Sequence, residues 1–274
     1  MSTPTPAPYD VNFCFLVRDL ESDRVKLTPF IVSRASLRSA RSEDLTYRSV
    51  HGRQVTQHAD LFFQGSASHP ELYQHMSFGP YSSASAFTEN LVRGHIQPNP
   101  TLVLYAVLDK TRSQPIGTGS EASVSPSSAN FAGMIGYMRG SATNLSVEIG
   151  LLVILPPFQR THVTTNAVGL LLRYALDLPT ASPPGLGLRR VQWQASERND
   201  TSIRAAQRLG FRREGLLMWD SMFPGDQGKV GNGEDIREGD PRPGTLGRHT
   251  LVFAICWDDW ENGGREQVTR LMDK

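Results

Sequence analysis

Glu148-Ile149-Gly150-Leu151-Leu152-Val153-Ile154-Leu155-Pro156-Pro157-Phe158-Gln159-Arg160-Thr161 runs directly into a helical pattern. It reads as a buried strand that stops at a proline pair, followed by a polar loop that opens a helix. Backbone N–H groups at such a helix start make an anion site. One strand-loop-helix unit proves little by itself. A second segment, Asn199-Asp200-Thr201-Ser202-Ile203-Arg204-Ala205-Ala206-Gln207-Arg208-Leu209-Gly210-Phe211, gives it weight.

Around these two segments the chain reads as a mixed α/β unit. Residues 23–32 alternate as a first strand, with Pro29 pointing to an edge position. Helical patches are expected at 44–57 and 83–94, the second capped by Ser83 or Ser85 and carrying Ala86, Phe87, Leu91 and Val92 as its stripe. Residues 101–108 and 115–120 read as a hairpin across the turn 109–114. Strands are expected at 131–137, 145–155, 190–195 and 250–257. A helix starting at Thr164 or Thr165 carries apolar positions 168, 171, 172 and 175. Another helix over 200–209 is closed by Gly210. Residues 220–248, rich in Gly, Pro and acid, read as a long loop insertion. Residues 1–22 form an arm, 23–262 the domain and 263–274 a polar tail.

Composition narrows the function classes. With 274 residues, 39% hydrophobic, 20% charged and a net charge of +1, the chain has no nucleic-acid footprint. Cys14 and Cys256 lack the spacing of a zinc ribbon or disulfide framework, and the histidines lack ligand spacing, so no metal is expected. The N-terminus does not read as a signal peptide, and the longest apolar run falls far short of the roughly 20 residues of a spanning helix. A cytoplasmic protein without membrane attachment is the expectation. Gly225–Val230 lacks the glycine spacing of a phosphate-binding Walker loop, and no Gly-x-Ser-x-Gly elbow occurs.

Four pieces in order carry a resemblance: Val147–Gly150; Phe158–Thr161; Gln192–Ala195 with Asn199–Phe211; and Phe253–Trp260. Together they resemble the GCN5-related N-acetyltransferases (GNAT), in the RimJ/RimL-like branch, over about residues 24–260. The resemblance implies a mostly antiparallel central sheet flanked by helices, with a splayed strand near 148–155. It implies acetyl-CoA as co-substrate and direct acetyl transfer to a primary amine. A small-molecule acceptor is favoured over a protein N-terminus, because no charged surface marks a macromolecular partner; a homodimer stays open. The alternatives are a non-catalytic acyl-CoA-binding module, or the same scaffold with another acyl donor or reaction.

The site residues follow from that resemblance. The Val153 backbone N–H would polarise the thioester carbonyl. Glu148 would accept the amine proton, unless it merely pairs with a cation. Gln159, Arg160, Thr161, His162, Val163, Thr164 and Thr165 would hold the pyrophosphate, although His162 and Thr164 stand where the family usually has glycine. Arg160 would offset that loss through charge. Asn199 and Ser202 would contact the coenzyme, with Ser202 as a candidate general acid, or would only cap a helix. Phe62, Phe63, His75, Phe78, Tyr81 and Trp219 are candidates for the acceptor side, with Met218 and Trp257, unless these aromatics are core.

Overall fold

The computed structural model describes residues 11–30, 58–112 and 126–274. The expected helix at 44–57 and strand at 115–120 lie outside them. The strands are β1 (Leu20–Glu21), β2 (Val25–Pro29), β3 (Val103–Asp109), β4 (Phe131–Ser141), β5 (Ser146–Ile154), β6 (Arg190–Ser196), β7 (Arg212–Pro224) and β8 (Thr245–Cys256). They form one sheet in the order β1-β2-β3-β4-β5-β6-β8-β7. Every neighbouring pair is antiparallel except β5 and β6. That parallel pair follows from its connection, because only a crossover helix can return the chain to run in the same direction. Both edges of β3 over Tyr105–Leu108 are taken, by β2 on one side and β4 on the other. Pro29 sits beyond the last β1 pair, where its missing N–H costs no ladder bond.

The crossover helix is α3 (His162–Leu176). Val168, Leu171, Leu172 and Ala175 are completely buried, as their spacing requires. It starts at His162, not at Thr164 or Thr165, because Thr161 is its cap and accepts a bond from the Val163 N–H. Tyr137 on β4 donates its hydroxyl to the Leu171 carbonyl, tying the helix to the sheet. Helix α1 occupies 58–66, and α2 (Ala84–Phe87) continues as a wider coil over Thr88–Ile96. Ser83 caps α2, its Oγ accepting from the Ala86 N–H at 3.0 Å. Ser83→Ala is expected to cost about 1 kcal/mol, read as a lower urea midpoint with an unchanged slope.

Helix α4 (Asp200–Arg208) ends at Gly210, whose φ of +93° is the left-handed stop that favours glycine. The expected 220–248 loop is shorter than its composition implied. β7 takes 220–224 and β8 takes 245–248, leaving a connection over 225–244. β7 is an edge strand with mostly exposed side chains, so it lacks the apolar alternation by which a strand is recognised.

The segments that flank the sheet, from Leu16 and from Trp257 onward, join the core. Val17 and Leu20 are buried, and the Tyr174 hydroxyl donates to the Leu16 carbonyl. After α5 (Trp257–Asp259), Trp260 is fully buried and donates its indole N–H to Asp177 at 2.8 Å. Arg265, which opens α6 (Arg265–Met272), reaches the same carboxylate oxygen. Val268 and Met272 close over Gly169 of α3, where a Cβ would meet the Met272 sulfur at 2.4 Å. No helix among the described residues is long and apolar enough to cross a membrane.

Candidate active site

β5 and β6 pair only between Ser146–Ile149 and Arg190–Trp193. β5 then continues to Ile154 on β4, while β6 continues to Ser196 on β8, so the two strands part as a wedge. Between Gly150 and Val153, β5 spends one residue more than β4 does between Gly136 and Met134. Leu151, at φ +53°, is part of that bulge. A bulge bends and twists the strand that carries it. Beyond Ile149 the β6-facing side of β5 has no strand partner among the described residues, and backbone groups pointing into the wedge are available to a ligand. Val153 lies on this stretch.

The wedge runs out toward the start of α3. Gln159 turns back, its Nε2 donating to the Ile154 carbonyl at 2.9 Å. Arg160 is exposed at φ +60°. The Thr161 hydroxyl donates to the Phe158 carbonyl and accepts from the Val163 N–H. His162 is turned aside, with Nε2 at 3.2 Å from buried Asp109. Val163 is core, and Thr165 is buried with its hydroxyl accepting from Arg208 at 3.2 Å. Of the first-turn N–H groups, the cap satisfies Val163 and leaves those of His162 and Thr164. What this helix start offers an anion is therefore backbone N–H, the exposed Arg160 and the half-buried Thr164.

At the other end of the wedge, Glu148 is buried. Its Oε2 accepts from Arg139 Nη1 at 2.8 Å and from Gln192 Nε2 at 3.2 Å. Its Oε1 points along β5, 3.9 Å from where a Cβ on Gly150 would stand. So Oε2 is held by two donors, while Oε1 lies on the Gly150 side, where the Met138 sulfur also packs. Burial raises the Glu148 pKa above the ordinary carboxylate range, against the opposing pull of Arg139, Gln192 and Arg248. An upward shift makes the carboxylate a stronger proton acceptor. Because Arg139 lowers this pKa, Arg139→Gln is expected to move the acidic limb of kcat/KM to higher pH; an unmoved limb would detach Glu148 from it.

A family model for the acetyltransferase (GNAT) domain matches residues 53–212, more than half of the chain. The protein belongs to the GNAT acetyltransferases. The matched model is of the RimJ/RimL-like kind. Structural likeness agrees in fold. A GCN5-related N-acetyltransferase from Brucella melitensis superposes with a TM-score of 0.62 at 20% identity, over 93% of this chain and 85% of that one. A GNAT-family structure from Chromobacterium violaceum gives 0.60 at 23% identity, over 95% and 97%. A ribosomal-protein-S5-alanine acetyltransferase from Vibrio fischeri gives 0.52 at 11% identity, over 89% and 99%. At these identities the likeness concerns the fold alone. Among curated proteins no sequence match is found. GNAT enzymes use acetyl-CoA, and the wedge with free N–H groups at its far end fits an extended, phosphate-bearing co-substrate.

In this GNAT chain the other candidate residues divide. Asn199 caps α4 by accepting from the Ser202 N–H at 3.1 Å. The Ser202 hydroxyl accepts from the Trp193 indole at 2.9 Å, so it is already anchored to the helix-covered face of the sheet. Phe62 is completely buried against Phe87, with ring centroids 4.8 Å apart, and is core and not pocket lining. Phe63, His75, Phe78 and Tyr81 are half-buried, with Phe78 and Tyr81 packed against Tyr73. Trp219 packs edge-on against His249 at 5.6 Å and lies over Gly247. His249 and Arg248 point to opposite faces, so Trp219 leaves the Glu148 face. Met218 is exposed, and Trp257 sits past the far end of β8, bonded through its N–H to Arg189.

Sequence reading missed Arg139, Arg248 and Lys229. Lys229 is buried and donates to the carbonyls of Tyr73, Phe78 and Gly79 at 3.0, 2.9 and 2.6 Å. It pins the 225–244 connection onto the segment that holds His75. A lysine amid glycines and acids carries no local signal of that role. Cys256, Asp258 and Asp259 bring possible metal-ligand atoms within 4.8 Å of one another, but Asp259 is engaged by the Cys256 N–H and by Arg212.

Proposed function

We propose that this GNAT enzyme transfers acetyl from acetyl-CoA to the primary amine of a small molecule, by direct attack in a ternary complex. The observation that carries the reading is Glu148, buried at the closed end of the β5–β6 wedge with Oε2 held by Arg139 and Gln192 and Oε1 left on the Gly150 side. Bound acetyl-CoA supplies the activated acyl group. The chain's own residues do the rest. Glu148 accepts the proton that the amine nitrogen loses as its bond to the acyl carbon forms, directly or through one water. The backbone N–H of Val153 donates to the oxygen that gathers charge. Gln159–Thr165 form the phosphate end, working chiefly through the His162 and Thr164 N–H groups and Arg160. Asn199 and Ser202 line the coenzyme path; as the acyl–sulfur bond breaks, the Ser202 hydroxyl, while accepting from Trp193, donates its own proton to the departing thiolate and regains one from solvent.

Calorimetry with acetyl-CoA, followed by thiol release with a panel of primary amines, tests this. Micromolar binding and amine-dependent release support it. Binding with no release across the panel would leave an acyl-CoA-binding module. Absence of binding would remove both readings.

A further inference from the structure

The registers place one more charged group over this site. Glu148 stands opposite Gln192, Gln192 opposite Ala254, and Ser196 opposite Thr250. Side chains alternate along a strand, so Arg248, two residues from Thr250, shares the Glu148 face. Its guanidinium lies 5.7 Å over the Phe223 ring. Its Nε is buried and, among the described residues, has no hydrogen-bond partner. The Nδ1 of His75 is in the same condition. His75 comes from the segment pinned by Lys229 and by the Val230 N–H to the Gln74 carbonyl at 2.8 Å, and its ring feels the Arg248 charge. The charges facing Arg248 are Asp220, Glu148 and Arg139. Neither carboxylate serves Nε: Asp220 accepts from Thr250 at 2.8 Å, and Glu148 is held by Arg139 and Gln192.

Arginine Nε is a donor only, and neutral histidine donates from one ring nitrogen. Burial and the neighbouring Arg248 both hold His75 toward its neutral form. Two buried nitrogens without partners are a standing cost unless a ligand supplies acceptors. The ligand chemistry that meets a guanidinium and a neutral ring N–H together is an anionic oxygen.

We propose that Arg248 and His75 form an anion subsite in the acceptor pocket, so that the acetylated molecule is an amine that also carries a carboxylate or phosphate. This rests on the acetyl-transfer reading above, with the amine directed to Glu148 and the anionic group to Arg248. Arg248 is then a specificity residue and Lys229 a positioning residue that keeps His75 over the sheet.

The test compares matched pairs: β-alanine and γ-aminobutyrate against ethylamine and propylamine, and phosphoethanolamine against ethanolamine. The anionic member of a carboxylate pair, a phosphate pair or both is expected to have the higher kcat/KM, by roughly ten- to hundredfold. The pair showing the gap identifies which anion is used. Arg248→Gln should collapse that ratio to about one through KM, and Arg248→Lys should restore part of it. Acetyl-CoA affinity serves as the control for folding. Equal rates within every pair in the parent enzyme, or a ratio that survives Arg248→Gln, would overturn the subsite. Calorimetry of the same compounds on the CoA-loaded protein separates the two claims. An anionic preference in binding that Arg248→Gln abolishes, without thiol release, keeps the subsite and rejects acetyl transfer. Turnover without the preference does the reverse.

Discussion

Glu148→Gln is expected to lower kcat/KM for the amine by about 10²- to 10⁴-fold, the usual worth of a positioned general base. The substitution keeps the shape of the side chain and leaves an oxygen for Arg139 and Gln192, which now hold Oε2 at 2.8 and 3.2 Å. What it removes is the capacity to accept a proton. Acetyl-CoA affinity should therefore stay within about twofold, since the phosphate end lies across the wedge at α3. The acidic limb of the pH profile should disappear with the rate. Stability gives an independent reading of the same group. Burial raises the folded-state pKa of Glu148 above its unfolded value, so its favourable contribution is complete at low pH and is lost as pH rises through the raised pKa. The Gln variant mimics the protonated form. It is expected to be at least as stable as the parent at neutral pH, with any advantage vanishing below the ordinary carboxylate range. A variant that keeps the parent rate and the parent acidic limb would exclude Glu148 as the proton acceptor.

The second large effect is expected at Gly133. This residue has φ +141°, and a Cβ built on it would stand 2.1 Å from the Val153 carbonyl oxygen and 3.1 Å from the Ile154 Cα. Both obstacles are backbone, so no side chain can rotate out of the way. Gly133 is paired with Ile154, and its neighbour Met134 with Val153. Relief must come from pushing β4 and β5 apart at the stretch proposed to meet the acyl oxygen. Gly133→Ala is expected to cost about 2–5 kcal/mol, combining strained backbone with overpacking. It should also lower kcat about 10²-fold, because a displacement of about 1 Å misaligns the reacting groups. Gly239→Ala is the matched control: φ there is +74°, and nothing lies within 4 Å of the added Cβ. That variant carries only the conformational penalty. If the two variants unfold within about 0.5 kcal/mol of each other, the collision plays no part in the cost.

The elements that were legible in the sequence are those whose signals are local. The β5 strand, its proline stop and the α3 stripe at 168, 171, 172 and 175 depend on periodicity within a dozen residues, and the structure places all of them. Gly210 after α4 and Ser83 before α2 are equally local, because a cap or stop is a bond to a backbone group three or four positions away. β7 escaped because an edge strand exposes both faces and loses its alternation. Phe62 read as a pocket aromatic because a core aromatic on a helix has the same spacing; only its neighbour Phe87, from another helix, decides otherwise. The Thr164 start for α3 failed by two residues, since Thr161, Thr164 and Thr165 are all competent caps until one of them bonds.

For this protein the sequence alone determined the fold class, the GNAT family and the place of Glu148 on the splayed strand. Those properties are written in the order of short patterns, each enforced by bonds within its own element. The surroundings of Glu148 were decided only by tertiary structure. Arg139, Gln192, Arg248 and His75 come from β4, β6, β8 and a covering segment. Register puts Gln192 and Arg248 on the Glu148 face, the irregular pairing after Met138, with Arg139 at φ +49°, turns Arg139 to it, and the Lys229 anchor holds the segment of His75. Register is set by the packing of whole strands, and no local run of residues encodes which distant charge will face which.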